Sequence, residues 1–205
     1  MKRSRRLGGA GGQVLPVLAV TIVTLVAACA LAVDVSGALR LRAAEGQSLE
    51  LAKESSMGSL NAQKFASDPA LAAYGLAADA LAADGFEGRA TIWYYEVPAS
   101  QMPAGRAVTD RLSVTSVQVT RTYRSALAWA AGKPTIEVGN SISWTSNPYS
   151  TTRVWRPSTV TSRAYDITIA GGHVTSVSSR SITKTNLPAE ARRVIDDAVS
   201  SLRGH

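Results

Sequence analysis

The rhythm of hydrophobic and polar positions changes three times along the chain. From Val14 to Val33 twenty residues carry no charge, and at about 1.5 Å per residue a helix of that length measures roughly 30 Å, the hydrocarbon thickness of a bilayer. Val14, Leu18, Val20, Ile22, Val23, Leu25, Val26, Leu31 and Val33 supply its apolar surface. Thr21 and Thr24 can return their hydroxyls to carbonyls one turn earlier, and Pro16 lies in the first turn, where its missing N–H costs least. After Asp34 the spacing stays helical. At 100° per residue Val35, Leu39, Leu49, Met57 and Leu60 fall within an arc of about 80°, interrupted by Arg42 and Lys53, and predict a stalk over residues 34–66 that offers this stripe to a partner.

A second, short helix is expected within 67–86, with Asp68 as N-cap, Pro69 at its first position and Gly85 just past its end. From Arg89 the period becomes two. "TIEVGNSISW" puts Ile136, Val138, Ile142 and Trp144 on one side of a strand and Glu137, Ser141 and Ser143 on the other. "ATIWYYEV" and "SVQVTRTY" read as strands, and "AYDITIAGGHVTSVSSRSI" reads as a hairpin turning at Gly171 and Gly172. Residues 146–162, with two prolines, read as a connection. The period of 3.6 returns in 187–203, where Ala191, Val194, Ile195, Ala198 and Leu202 share a face and Asn186 and Pro188 mark the start. The expected class is α+β: an N-terminal transmembrane helix continuing into a helical stalk, then a mainly antiparallel β-sheet head over 87–205 closed by a C-terminal helix.

Charge orients this layout. Lys2, Arg3, Arg5 and Arg6 precede the apolar run in a basic tip over residues 1–13, and the first acidic residue is Asp34. That asymmetry predicts a cytoplasmic N-terminus with the head outside the cell membrane. Setting those four aside leaves 18 of the 22 basic residues against 15 acidic ones, too even a balance to call for nucleic acid. Two other fates of the run stay open. "ALA" at Ala30–Ala32 offers small residues for signal cleavage, and "VAAC" ending at Cys29 resembles a lipobox. The run is longer than the usual signal core of about 7–15 residues, and Cys29 is followed by "ALAV" rather than a polar tether, so a retained span is preferred.

The residue inventory limits the chemistry. Cys29 is the sole cysteine, and the only histidines are His173 and His205, which leaves no material for an intrachain disulfide or a zinc cluster. Asp79, Asp84 and Glu87 lack the spacing of a calcium loop and read as a solvated face. Ser181 and Lys184 have the S-x-x-K spacing, but an offset of three on a strand sends the two side chains to opposite faces. His173, opposite Ala170 across the Gly-Gly turn, is too far along the strand from Asp166 for a triad. Arg121, Tyr123 and Arg124, with Arg153, Trp155 and Arg156, interleave arginine with aromatics and form a possible surface patch. No phosphate loop or nucleotide fingerprint is present, no cofactor and no small-molecule substrate is expected, and no enzyme is predicted.

The N-terminal layout, with Gly12 and Gln13 before the run, Ala32, Val33 and Asp34 at its end, and Arg40, Arg42 and Gln47 beyond, resembles the TadE/TadG-like proteins of bacterial tight-adherence (Flp) pili over about the first 55 residues. Val17 stands where pilin-like precursors carry glutamate, and "SLELAKES" replaces an Ala-Ala-Asp-Ala repetition. The resemblance implies a structural or assembly component of a pilus-like appendage, with envelope or pilus partners on the stalk. The competing expectation is an exported or lipid-tethered binding domain that uses the Arg/aromatic patch.

Overall fold

The computed structural model describes residues 14–59, 66–103, 112–125, 127, 132, 134–146 and 161–203. Among the described residues, three α-helices and five strands follow in the order α1 (Val14–Gly58), α2 (Pro69–Ala83), β1 (Gly88–Glu96), β2 (Ser113–Arg124), β3 (Thr135–Ser146), β4 (Arg163–Ala170), β5 (His173–Ser181) and α3 (Ala189–Arg203), with short 3₁₀ turns at Ala99–Gln101 and Lys184–Asn186. The class is α+β as expected. The strands form one antiparallel sheet in the order β3-β2-β1-β4-β5. The chain divides into two compact units, one comprising Met1–Arg40 with Tyr123–Ile136 and the other Leu41–Thr122 with Glu137–His205.

Local chemistry accounts for the elements. Asp68 caps α2 by accepting from the Leu71 amide at 3.1 Å with Pro69 following, and Gly85 leaves that helix at φ +72°, a conformation that favours glycine. Gly171 and Gly172 take φ +60° and +75°, the primed turn that matches strand twist. Thr21 and Thr24 donate to the carbonyls of Val17 and Val20 at 2.9 and 2.8 Å, which removes two polar hydrogens from an otherwise apolar surface. At the other end, Asn186 closes a capping box with Thr183 of the 3₁₀ turn rather than capping α3, whose Arg192 amide donates to the Pro188 carbonyl at 3.0 Å.

In the second unit the central strand β1 is covered on both sides. Ala90, Ile92 and Tyr94 join Val117, Val119, Trp144, Tyr165, Ile167 and Ile169 beneath α2 and the Leu49/Ala52 turn of α1. On the opposite face Trp93 and Tyr95 join Leu112, Val114 and Ala164 beneath Ala191, Ile195 and Leu202 of α3. The stripe expected on the C-terminal helix is therefore the one buried. In that helix Asp196 pairs with Lys184.

The first helix is described over Val14–Gly58, and residues 60–65, including Leu60, lie outside the described residues. The face that α1 buries in its own fold lies beside the stripe expected to meet a partner and takes only Leu49 from it. Asp34, Glu45, Ser48, Leu49, Ala52 and Ser56 are buried, whereas Val35, Leu39 and Met57 are 49%, 62% and 44% exposed. At 100° per residue the buried face is centred roughly a quarter turn from the predicted one. Small and polar side chains, which allow close approach of a sheet, form it, so hydropathy does not reveal it. Along β3, alternation holds at Ile142 and Trp144, but Ile136 is 44% exposed.

This rotation has a measurable consequence. Leu49→Ala is expected to lower the unfolding free energy of the full chain in detergent micelles by about 2–4 kcal/mol, and Leu39→Ala by less than about 0.5 kcal/mol. Denaturant titration checks the ranking, and a reversed order would put the Leu39 side of α1, rather than the Leu49 side, in the core.

Candidate functional site

The sequence marks Asp34 as the charge that ends the apolar run. In the first unit this residue is 7% exposed, because the end of β2 folds onto it. Its Oδ2 accepts from Ser125 Oγ at 2.6 Å and from the Leu127 backbone N–H at 2.8 Å. Hydrogen bonds to a charged acceptor are short and strong, and their strength grows where water is excluded. The Ser125 amide in turn donates to the Pro134 carbonyl at 3.1 Å, which closes the connection between β2 and β3. One turn after Asp34 along α1, Gly37 supports the same approach. A Cβ there would lie 2.2 Å from the hydroxyl oxygen of Tyr123, so any other residue would push the ring aside. Tyr123, expected in a surface patch, and Asp34, expected only as the charge ending the run, thus both lie where the end of β2 meets α1.

A second buried carboxylate belongs to the other unit. Glu45 on α1 is 0% exposed, and neither oxygen reaches a hydrogen-bonding partner. Burial pushes its carboxyl above the usual glutamate range, opposed mainly by the charge of Arg121 and less by that of Arg42. The Arg121 guanidinium stacks over the Phe86 ring at 4.4 Å, with Nε also buried and without a hydrogen-bond partner. Ser48 donates to Asp84 at 2.5 Å, and Asn140 Nδ2 donates to the Arg42 carbonyl at 3.4 Å. Asp84, read as part of a solvated face, therefore ties α1 to the end of α2.

The remaining sequence candidates separate. Val14–Val33 is wholly helical, and the large apolar side chains described within it are exposed, from 77% at Leu15 to 52% at Leu31. It is the helix among the described residues that is long and apolar enough to cross a membrane. Lys2, Arg3, Arg5 and Arg6 of the basic tip, and Arg153, Trp155 and Arg156 of the patch, lie outside the described residues. The other half of the patch does not form an open surface: Arg121 covers Phe86, Tyr123 faces Gly37, and Arg124 alone of the three is exposed. Ser181 ends β5, while Lys184 lies in the following 3₁₀ turn and pairs with Asp196. His173 pairs with Ala170 and Asp166 with Ser178 across β4 and β5, which keeps the histidine and the carboxylate apart.

The sheet also carries a polar concavity of about 460 Å³ that the sequence did not signal, lined by Arg89, Thr91, Gln118, Asp166, Thr168 and Ser176 among others. Asp166 accepts from Thr91 Oγ1 at 2.8 Å and pairs with Arg180, and Arg89 pairs with Glu137. Neighbouring charges are thus matched, and no aromatic ring lines the wall to stack a sugar or a base. Among the described residues no group of three His, Cys, Asp or Glu side chains is placed to hold a metal ion. Compared with protein-family models, curated proteins and solved structures, the chain has no match.

Glu45 supplies a pH test. A carboxyl whose pKa is raised by folding binds its proton more readily in the folded chain, so its stability contribution is greatest below the usual glutamate value and is lost as pH rises through the raised one. Glu45→Gln, which mimics the protonated form, is expected to raise the unfolding free energy near pH 7 by about 1 kcal/mol, with the gain vanishing near pH 4. Unfolding titrations at the two pH values check this. A loss of stability near pH 7 would show that attraction to Arg121 outweighs the burial penalty.

Proposed function

We propose that the chain is a single-span, membrane-anchored bacterial envelope protein with an extracytoplasmic, non-enzymatic α+β head, serving as a structural or assembly component of a pilus-like surface appendage. The observation that carries the membrane part is the uncovered run of α1. Ten large apolar side chains between Leu15 and Val33 are more than half exposed, and leaving them in water costs on the order of 10 kcal/mol. Soluble monomers rarely expose so large a continuous apolar surface. A bilayer covers the run and leaves no backbone group unsatisfied, since the helix bonds its own amides. The basic tip and Asp34 favour a cytoplasmic N-terminus.

The appendage role rests on the TadE/TadG-like layout of the first 55 residues and on the exposed side chains Val35, Leu39 and Met57, which the chain's own fold leaves available to other envelope or pilus proteins. Leu49, buried in its own core, is removed from that set. The rival reading, a binding domain using the Arg/aromatic patch, has less support because Arg121 and Tyr123 are already engaged within the fold.

The native protein is expected to remain in the membrane fraction after alkaline carbonate washing, with an intact mass that includes residues 14–33. Protease added to spheroplasts is expected to remove the chain beyond Asp34. A soluble product starting near Val33 would make the run a cleaved signal, and a diacylglycerol adduct on Cys29 would make the protein a lipoprotein.

A further inference from the structure

The apolar surface of the first unit does not stop with the helix. Beside Asp34 lies a cleft of about 330 Å³ whose wall is made by Leu31, Val35 and Ala38 of α1 together with Leu127 after β2 and Ile136 at the start of β3. Leu31, Val35 and Ile136 are 52%, 49% and 44% exposed. The cleft therefore opens outward, and among the described residues none covers it.

Its depth follows from the span. Leu31 belongs to the uncharged run and Val35 lies one turn further, about 6 Å along the axis, whereas the interfacial layer of a bilayer extends roughly 5–8 Å beyond the hydrocarbon on each side. The Leu127 amide is held at the level of Asp34 by its 2.8 Å bond to the carboxylate, and the Ser125 hydroxyl is held there at 2.6 Å. A helix that crosses the membrane as far as Val33 thus brings Leu127 with it to the boundary. The intervening sequence agrees. Residues 125–132 read "SALAWAAG" without a charge and with a tryptophan, flanked by Arg124 and Lys133, and no acidic residue occurs from Arg111 to Ile136. This is the composition of a segment that rests at lipid headgroups, where Trp is enriched and long basic side chains reach the polar layer.

We propose a second membrane contact at the cleft: Leu127, fastened to the helix exit through Asp34, and Ile136 of β3 seat it against the acyl chains and glycerol layer of the extracytoplasmic leaflet. The inference rests on the single-span reading. It adds that the protein touches the bilayer at two elements rather than one, so the helix exit is held in a fixed rotational setting at the surface.

The test uses the full chain in liposomes of phosphatidylcholine and phosphatidylglycerol, with Cys29→Ala and one new cysteine at a time carrying an environment-sensitive fluorophore. Leu25→Cys reports the span, while Leu127→Cys and the more exposed Ile136→Cys report the cleft. Shallow doxyl-labelled lipid is expected to quench the label at residues 127 and 136 several-fold more than iodide does, with emission shifted to the blue of the free label in buffer. Lipid quenching at residue 25 combined with iodide quenching at both 127 and 136 would overturn the second contact and leave the span intact. Protection of 127 and 136 from both quenchers would overturn it in favour of a second protein chain in the cleft. Absence of lipid quenching at residue 25 would overturn the span and the second contact together.

Discussion

A carboxylate placed where an apolar helix ends is under two demands: it closes the uncharged segment, and it needs partners if it is to be buried. Asp34 meets both through Ser125 and the Leu127 amide. Those donors come from a point more than ninety residues later in the chain, so the side chain that terminates the run also receives the far end of a strand. Gly37, one turn on, removes the methylene that would otherwise keep Tyr123 away. The pairing asks little of hydrophobicity. It depends on one charge, one hydroxyl, one amide and one missing Cβ.

A different economy operates in the other unit. There the sheet buries both faces of β1, with aromatic and β-branched residues alternating toward α2 on one side and α3 on the other. The polar groups taken into this region are less well served. Glu45 is buried without a hydrogen-bond partner beside an arginine already stacked on Phe86. Such a group costs stability near neutral pH, and it is tolerated because the surrounding apolar burial is large. Its position on the inner face of α1 gives that helix a polar specificity that an all-alanine stripe would lack.

How much of this was legible depended on the range of each interaction. The Gly171–Gly172 turn, the Asp68–Pro69 start and the Ala191–Ile195–Leu202 stripe are set by neighbours a few residues apart, and each appears in the structure where pattern and capping place it. The buried face of α1 was illegible because Ser48, Ala52 and Ser56 carry little hydropathy, while the exposed Leu39 carries much. That Arg121 covers an aromatic ring fits its composition, but the ring, Phe86, lies 35 residues earlier and no spacing rule links them. Asp34 was read only as the charge that ends the apolar run, since its donors lie on a distant strand end. The one signal that could have found them is the charge-free "SALAWAAG" connection, an unusual composition for a loop exposed to water.

Amide hydrogen exchange on the full chain in lipid nanodiscs, comparing wild type with Asp34→Ala, tests the role of the carboxylate most directly. Loss of a charged acceptor worth about 1.5–3 kcal/mol is expected to speed exchange at Leu127 by roughly ten- to a hundredfold, with amides of β1 such as Ile92 unchanged. An unchanged rate at Leu127 would contradict the account, because the strand end would then be held by something other than Asp34.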